Sequence, residues 1–152
     1  MIKVKVDESI TIQRPVEEVF AFVADQRNAP EWQSGLLEVR RTDEGPLGVG
    51  ATHAVVRKFM GRRMEVNNEY VMYEPNTQVT FKSTAGPMPF EFSYLTESTP
   101  AGTRLTGKMQ MQAAGFMGLA EPLIGASMKR EMRAGFGELK DLLENRAAAA
   151  TA

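Results

Sequence analysis

Six strand-patterned segments follow one another with no helix between them: Leu36–Thr42, Ala51–Met60, Arg63–Tyr73, Gln78–Thr84, Pro89–Glu97 and Thr103–Gln112. The links "DEGPLGVG", "GR", "EPN", "TAGPMP" and "STPAG" are short and rich in turn residues. Parallel neighbours need a long crossover, so strands joined this tightly have to run antiparallel, as a meander. One long helical segment, Phe116 to Ala147, comes after them. Along it Met128, Met132, Phe136, Leu139 and Leu143 recur at three- and four-residue steps. Pro122 and Gly125 are expected to kink or interrupt its beginning.

The start of the chain adds a seventh strand. From Ile2 to Ile12 the even positions are Ile2, Val4, Val6, Glu8, Ile10 and Ile12, and the odd ones are polar. That is a strand with one wet face, and Glu8 is the sole polar residue on its apolar side. Pro15 opens a helix with Val16, Val19, Phe20 and Val23 as its stripe and Glu17 and Glu18 at its N-terminal dipole. Asp25 to Pro30 breaks it, and "APEW" begins a second short turn that carries Trp32, the only tryptophan. The order predicts an α+β fold: a seven-stranded curved antiparallel sheet wrapped around the C-terminal helix. The two short helices lie between strands 1 and 2 and plug one end. A curved sheet gripping one helix leaves a hollow. We expect a single domain over residues 1–147, with 148–152 a frayed or disordered tail; at 152 residues one core is sufficient.

Several chemistries are excluded. With 18 basic against 19 acidic residues, a formal net charge of −1, no broad nucleic-acid surface is expected. No cysteine and one histidine argue against a disulfide, a thiolate nucleophile or a zinc site. "GPLGVG" leads into a strand rather than a helix, so it is not a phosphate loop. We therefore expect no cofactor and no metal. The alternating N-terminus is not a signal peptide, and no apolar run is long enough to span a bilayer, so a cytoplasmic location is expected. A homodimer stays open.

The stretches "ITIQRPVEEVFAFVADQRNAPEW", "GPLGVGATHAVV", "NEYVMYEPNTQVTF" and "GTRLT", in that order, resemble the START-like helix-grip superfamily. Its bacterial members are often labelled polyketide cyclase/dehydratase and lipid-transport proteins (SRPBCC). The resemblance runs from about Ile2 to Leu143. It implies a deep hydrophobic cavity for a small apolar or amphipathic molecule, but no single chemistry, because members include carriers, receptors, cyclases and accessory proteins.

The hairpin "VVRKFMGRRMEV" tests which residues face that cavity. A two-residue turn at Gly61–Arg62 would pair Phe59 with Met64, Lys58 with Glu65, Arg57 with Val66, Val55 with Asn68 and His53 with Tyr70. The face with Val55, Phe59, Met64, Val66 and Tyr70 is the more apolar and is placed inward. The same alternation turns Val79, Phe81, Phe90, Phe92, Tyr94, Leu105, Met109 and Met111 inward. With Met128 and Met132 they form an aromatic and methionine wall, and ten methionines suit an adaptable pocket. Expected ligand contacts are Trp32, Val55, Arg57, Phe59, Asn68, Phe81, Phe90, Phe92, Tyr94, Met109, Met128 and Met132. Glu8, His53 and Tyr70 are the candidate catalytic residues. A desolvated Glu8 would titrate high, and a His–Tyr pair could shuttle a proton.

Three functions stay open. The first is binding of a small hydrophobic or amphipathic molecule: a lipid, polyketide or aromatic metabolite. The second is a cyclase/dehydratase-type enzyme that uses these polar groups for proton transfer. The third is an accessory protein docking through "GFMGLAEPLIGASM" on a larger complex.

Overall fold

The computed structural model of the chain describes residues 2–59, 61–85, 89–113 and 121–151. Strands β1 (Ile2–Ile12), β2 (Leu36–Arg41), β3 (Thr52–Phe59), β4 (Arg62–Glu74), β5 (Gln78–Ala85), β6 (Phe90–Thr99) and β7 (Gly102–Ala113) form one sheet. Its order is β1-β7-β6-β5-β4-β3-β2, antiparallel throughout. Helix α1 (Val16–Ala24) and a 3-10 turn (Gln26–Glu31) follow β1, and α2 (Glu121–Thr151) ends the chain. Register shifts at Leu36/Glu38, Asn67/Asn68 and Tyr70/Met72 bend the sheet towards α2. This is the helix-grip fold, α+β in class, as the element order predicts.

Pro15 caps α1 in an extended conformation, and its carbonyl accepts from the backbone N–H groups of Glu18 and Val19, both at 3.1 Å. Asp25 ends α1 and starts the next turn: its side chain accepts from Arg27 N–H at 3.1 Å. That turn delivers Trp32 to the core, 5 % exposed.

Two expectations need correction. The β3–β4 turn sits one residue earlier than expected, so His53 faces Asn68, Val55 faces Val66, Arg57 faces Met64 and Phe59 faces Arg62. Gly61, at φ +81, takes the left-handed conformation that such a tight turn needs. Partners shift by two positions, which preserves the faces: odd residues of β3 and even residues of β4 still point inward. The expected Lys58–Glu65 pair is lost. Lys58 lies opposite Arg63, and Glu65 instead pairs with Arg40 at 3.4 Å. Second, α2 is continuous through Gly125, and Pro122 falls in its first turn, where the missing N–H has no intrahelical partner anyway. The helix also continues to Thr151 through the alanine run after Arg146. Met60, the 86–88 turn and the 116–120 start expected for the helix lie outside the described residues.

The interior is two clusters rather than one. One gathers α1, Trp32, Tyr70, Phe81, Tyr94, Phe136, Leu139 and Leu143. The other gathers Val4, Val6, Met109, Met111, Ile124 and Met128. Phe90, Phe92 and Met132, only half-buried, pack against both. Gly107 on β7 lets α2 approach, since a Cβ there would lie 2.8 Å from Phe136 Cζ and 3.1 Å from Met132 Sδ. Gly107→Ala is expected to cost about 1–3 kcal/mol, because a buried ring cannot step aside as a flexible chain end can. An unchanged urea midpoint would show that α2 is free to shift.

Candidate functional site

Where the two clusters part, sheet and helix enclose a cavity of about 110 Å³, partly open to solvent. A single water needs only ~10–15 Å³, and an apolar cavity of ~150 Å³ accepts benzene, so this hollow has the scale of a small organic guest. Strands β3 and β4 supply Val55, Arg57, Met64, Val66 and Asn68 to its wall. Strands β5 to β7 supply Phe81, Phe90, Phe92, Tyr94, Met109 and Met111, and α2 adds Met128, Glu131, Met132, Gly135 and Phe136. Val23, Gln26, Ala29, Trp32, Gln33 and Leu36 close the end under α1 and the 3-10 turn.

Every ligand contact expected from sequence lines this space except Phe59, whose side chain lies outside the described residues. The alternation of inward residues accounts for the match, since the cavity is the inner face of the sheet. Its aromatic wall continues into the core as an ordered row. Tyr70 stands directly opposite Phe81, and Phe81 opposite Phe92, on neighbouring strands. Their rings stack at 5.8 Å and 5.5 Å, and His53 extends the row behind Tyr70 at 5.1 Å.

Three polar features interrupt the apolar lining. Gln26 Nε2 donates to Asn68 Oδ1 at 2.9 Å, and Asn68 Nδ2 donates back to Gln26 Oε1 at 2.9 Å. Two buried amides thereby satisfy each other. Arg57 Nη2 reaches Glu131 Oε1 at 2.9 Å, joining β3 to α2; both side chains are half-buried. Gly35 makes room for that carboxylate, as a Cβ there would meet Glu131 Oε1 at 2.2 Å. Finally, Gln33 Nε2 donates to the Tyr94 hydroxyl at 3.1 Å, and burial raises that phenol above its usual range. Trp32, whose ring lies 6.0 Å from Tyr94, has a buried indole N–H without an acceptor among the described residues.

The three residues proposed for proton transfer sit elsewhere. Glu8 faces α2, as the alternation requires, but its Oε1 accepts from Arg133 Nη2 at 2.9 Å and lies 3.9 Å from Lys129 Nζ. It tethers helix to edge strand rather than lining the cavity. Tyr70 donates its hydroxyl to Ala24 O and accepts from Gln26 N–H at 3.3 Å, and burial raises its pKa. It holds the end of α1 in place. His53 is fully buried, and neither ring nitrogen has a partner among the described residues. Burial first, then the Arg41 charge, lowers its pKa to about 4, opposed by Asp25 and Asp43. An imidazole held this way carries no charge at neutral pH. Neither His53 nor Tyr70 lines the cavity.

Gln26, Gln33 and Glu131 are the polar lining residues that sequence reasoning missed. The glutamines lie in and just after an irregular turn without periodicity, and Glu131 reads as one more charge on an exposed helix flank.

A family model described as polyketide cyclase / dehydrase and lipid transport matches residues 3–144. Uncharacterized proteins of Mycobacterium tuberculosis and Mycobacterium bovis are 28% identical over 125 residues, covering 77% of this chain and 73% of theirs. Among solved structures, the Zhui aromatase/cyclase from a Streptomyces species superimposes with a TM-score of 0.81 at 17% identity, over 98% of both chains. The di-domain ARO/CYC StfQ of the steffimycin biosynthetic pathway gives 0.79 at 11% identity, over 97% of this chain and 53% of that one. A Thermus thermophilus protein gives 0.77 at 17%, over 99% of this chain and 100% of that one. At these identities the structural likeness is one of fold.

Proposed function

The chain belongs to the polyketide cyclase/dehydrase and lipid transport family, and on that premise we propose that its cavity binds a small hydrophobic or amphipathic molecule. One observation carries the reading. The two halves of the core, bridged by Phe90, Phe92 and Met132, leave a hollow between them, and its apolar wall is largely aromatic and methionine side chain. A natural core is ordinarily filled to crystal-like density, so a void of this size forfeits contacts that a guest would restore. Phe81, Phe90, Phe92, Met109, Met128 and Met132 are the proposed apolar contacts, with Val55, Asn68 and Arg57 from the hairpin strands. Trp32 and Tyr94 add polarity on one side. A guest with an acceptor oxygen there would satisfy the orphaned indole N–H, which otherwise stays buried at a cost of about 1–3 kcal/mol.

The proton-transfer reading does not extend to Glu8, His53 and Tyr70, because none of them touches the space a substrate would occupy. Binding is tested with the neutral fluorophore N-phenyl-1-naphthylamine. Saturable binding with a rise in Tm is expected, since a guest that prefers the folded state stabilises it by mass action. Val66→Trp, which fills the cavity from β4, should weaken binding at least tenfold while the circular dichroism spectrum stays unchanged. No saturable binding by the unmodified chain, or full binding by this variant, contradicts the proposal.

A further inference from the structure

Resting on the cavity reading, we infer that the guest is an amphiphile with an anionic group, and that the tip of the β3–β4 hairpin holds that group at the rim. Inward positions of β4 run Tyr70, Asn68, Val66, Met64 and Arg62. Tyr70 and Asn68 are each 1 % exposed and Val66 6 %, while Met64 is half-buried and Arg62 exposed. The row whose Asn68, Val66 and Met64 line the cavity therefore ends, two residues past Met64, in a cation in water.

Arg62 has company. Lys58 and Arg63 stand directly across the ladder from each other on the outward face of the same turn, an arrangement of like charges that opposes strand pairing. None of Lys58, Arg62 and Arg63 makes an ion pair among the described residues. The neighbouring carboxylates are already engaged: Glu131 with Arg57 and Glu65 with Arg40. Three positive charges thus share one turn, Arg62 on the inward side with Lys58 and Arg63 behind it, in a chain whose formal net charge is −1, and no carboxylate among the described residues pairs with any of them. The field at the mouth favours an incoming carboxylate or phosphate, while the aromatic and methionine wall behind it takes an apolar tail.

The test compares two probes with the same tail: 11-(dansylamino)undecanoic acid, anionic at pH 7.5, and its methyl ester. Fluorescence titration of the full chain is expected to favour the acid roughly fivefold at low salt. That preference should shrink as salt rises to 0.5 M. Replacing the three cations together (Lys58→Gln, Arg62→Gln and Arg63→Gln) should abolish the preference and leave ester affinity unchanged. Arg62→Gln alone should remove the larger share. Equal affinity for both probes in the unmodified chain, or a preference that survives the triple replacement, overturns the inference while the cavity reading stands. Failure of both probes to bind sinks the two together.

Discussion

Phe136→Ala is expected to remove about 3–5 kcal/mol of folding stability, a fall in Tm on the order of 10 °C. Phe136 is 2 % exposed and packs beside Trp32 and Tyr94 at ring separations of 6.1 Å and 6.5 Å. It also fits against Gly107, where no side chain could take its place. The penalty lies at the upper end for this type of change because the removed ring borders a hollow. The surroundings cannot collapse into the gap without first closing the cavity. The same geometry makes the loss recoverable. An apolar guest at a hundred times its Kd returns about 2.7 kcal/mol, and the enlarged space should accept guests the unmodified chain excludes. Urea denaturation with and without N-phenyl-1-naphthylamine measures both effects. A loss under 1 kcal/mol would mean that the helix and sheet relax together and that the hollow is not held open by packing.

Acidification should destabilise the fold in a window set by His53. Its unfolded pKa is 6.5 and its folded pKa about 4, so between these values the unfolded chain binds a proton that the folded chain refuses. Stability is complete above pH 6.5 and declines as pH falls, by about 3 kcal/mol at pH 4. The charges acting on the ring oppose one another in sign: Arg41 and Arg27 lower its pKa, Asp25 and Asp43 raise it, and burial is the largest cause. His53→Leu removes both orphaned nitrogens, so stability at pH 7 should change by no more than about 1 kcal/mol, while the slope between pH 6.5 and 4 flattens. Urea midpoints of the two proteins at pH 7, 5.5 and 4.5 decide it. Parallel slopes would assign the acid sensitivity to the carboxylates instead.

The architecture was readable because it rests on two periodicities. Alternation placed Val79, Phe81, Tyr94, Leu105 and Met109 on the inner face. The three- and four-residue steps from Met128 to Leu143 placed the helix stripe. The hairpin partners were not readable, because "FMGRR" permits a turn at either of two neighbouring positions. Gly61 belongs to both, and only the pairing of Phe59 with Arg62 distinguishes them. Faces survived the shift while pairs did not, which is why Arg57 and Asn68 were found in the wall and the Lys58–Glu65 pair was lost. The candidate catalytic residues lie outside the cavity lining for another reason. Inward-facing is not cavity-facing: Glu8 meets Arg133 on the helix, and His53 and Tyr70 sit behind the Gln26–Asn68 amides. Sequence pattern reports a side of the sheet, not a depth along it.

The pairing of β1 with β7, from Ile2 beside Ala113 to Ile12 beside Thr103, bears on how the molecule is made. On the ribosome the first strand leaves the exit tunnel long before its sheet neighbour exists. It must wait, with Val4, Val6, Ile10 and Ile12 uncovered, until synthesis has passed β7, about a hundred residues later. Contacts this distant along the chain make closure slow, on the scale of milliseconds to seconds. Protection from aggregation during that interval falls to the lysines and hydroxyl groups on its alternate positions.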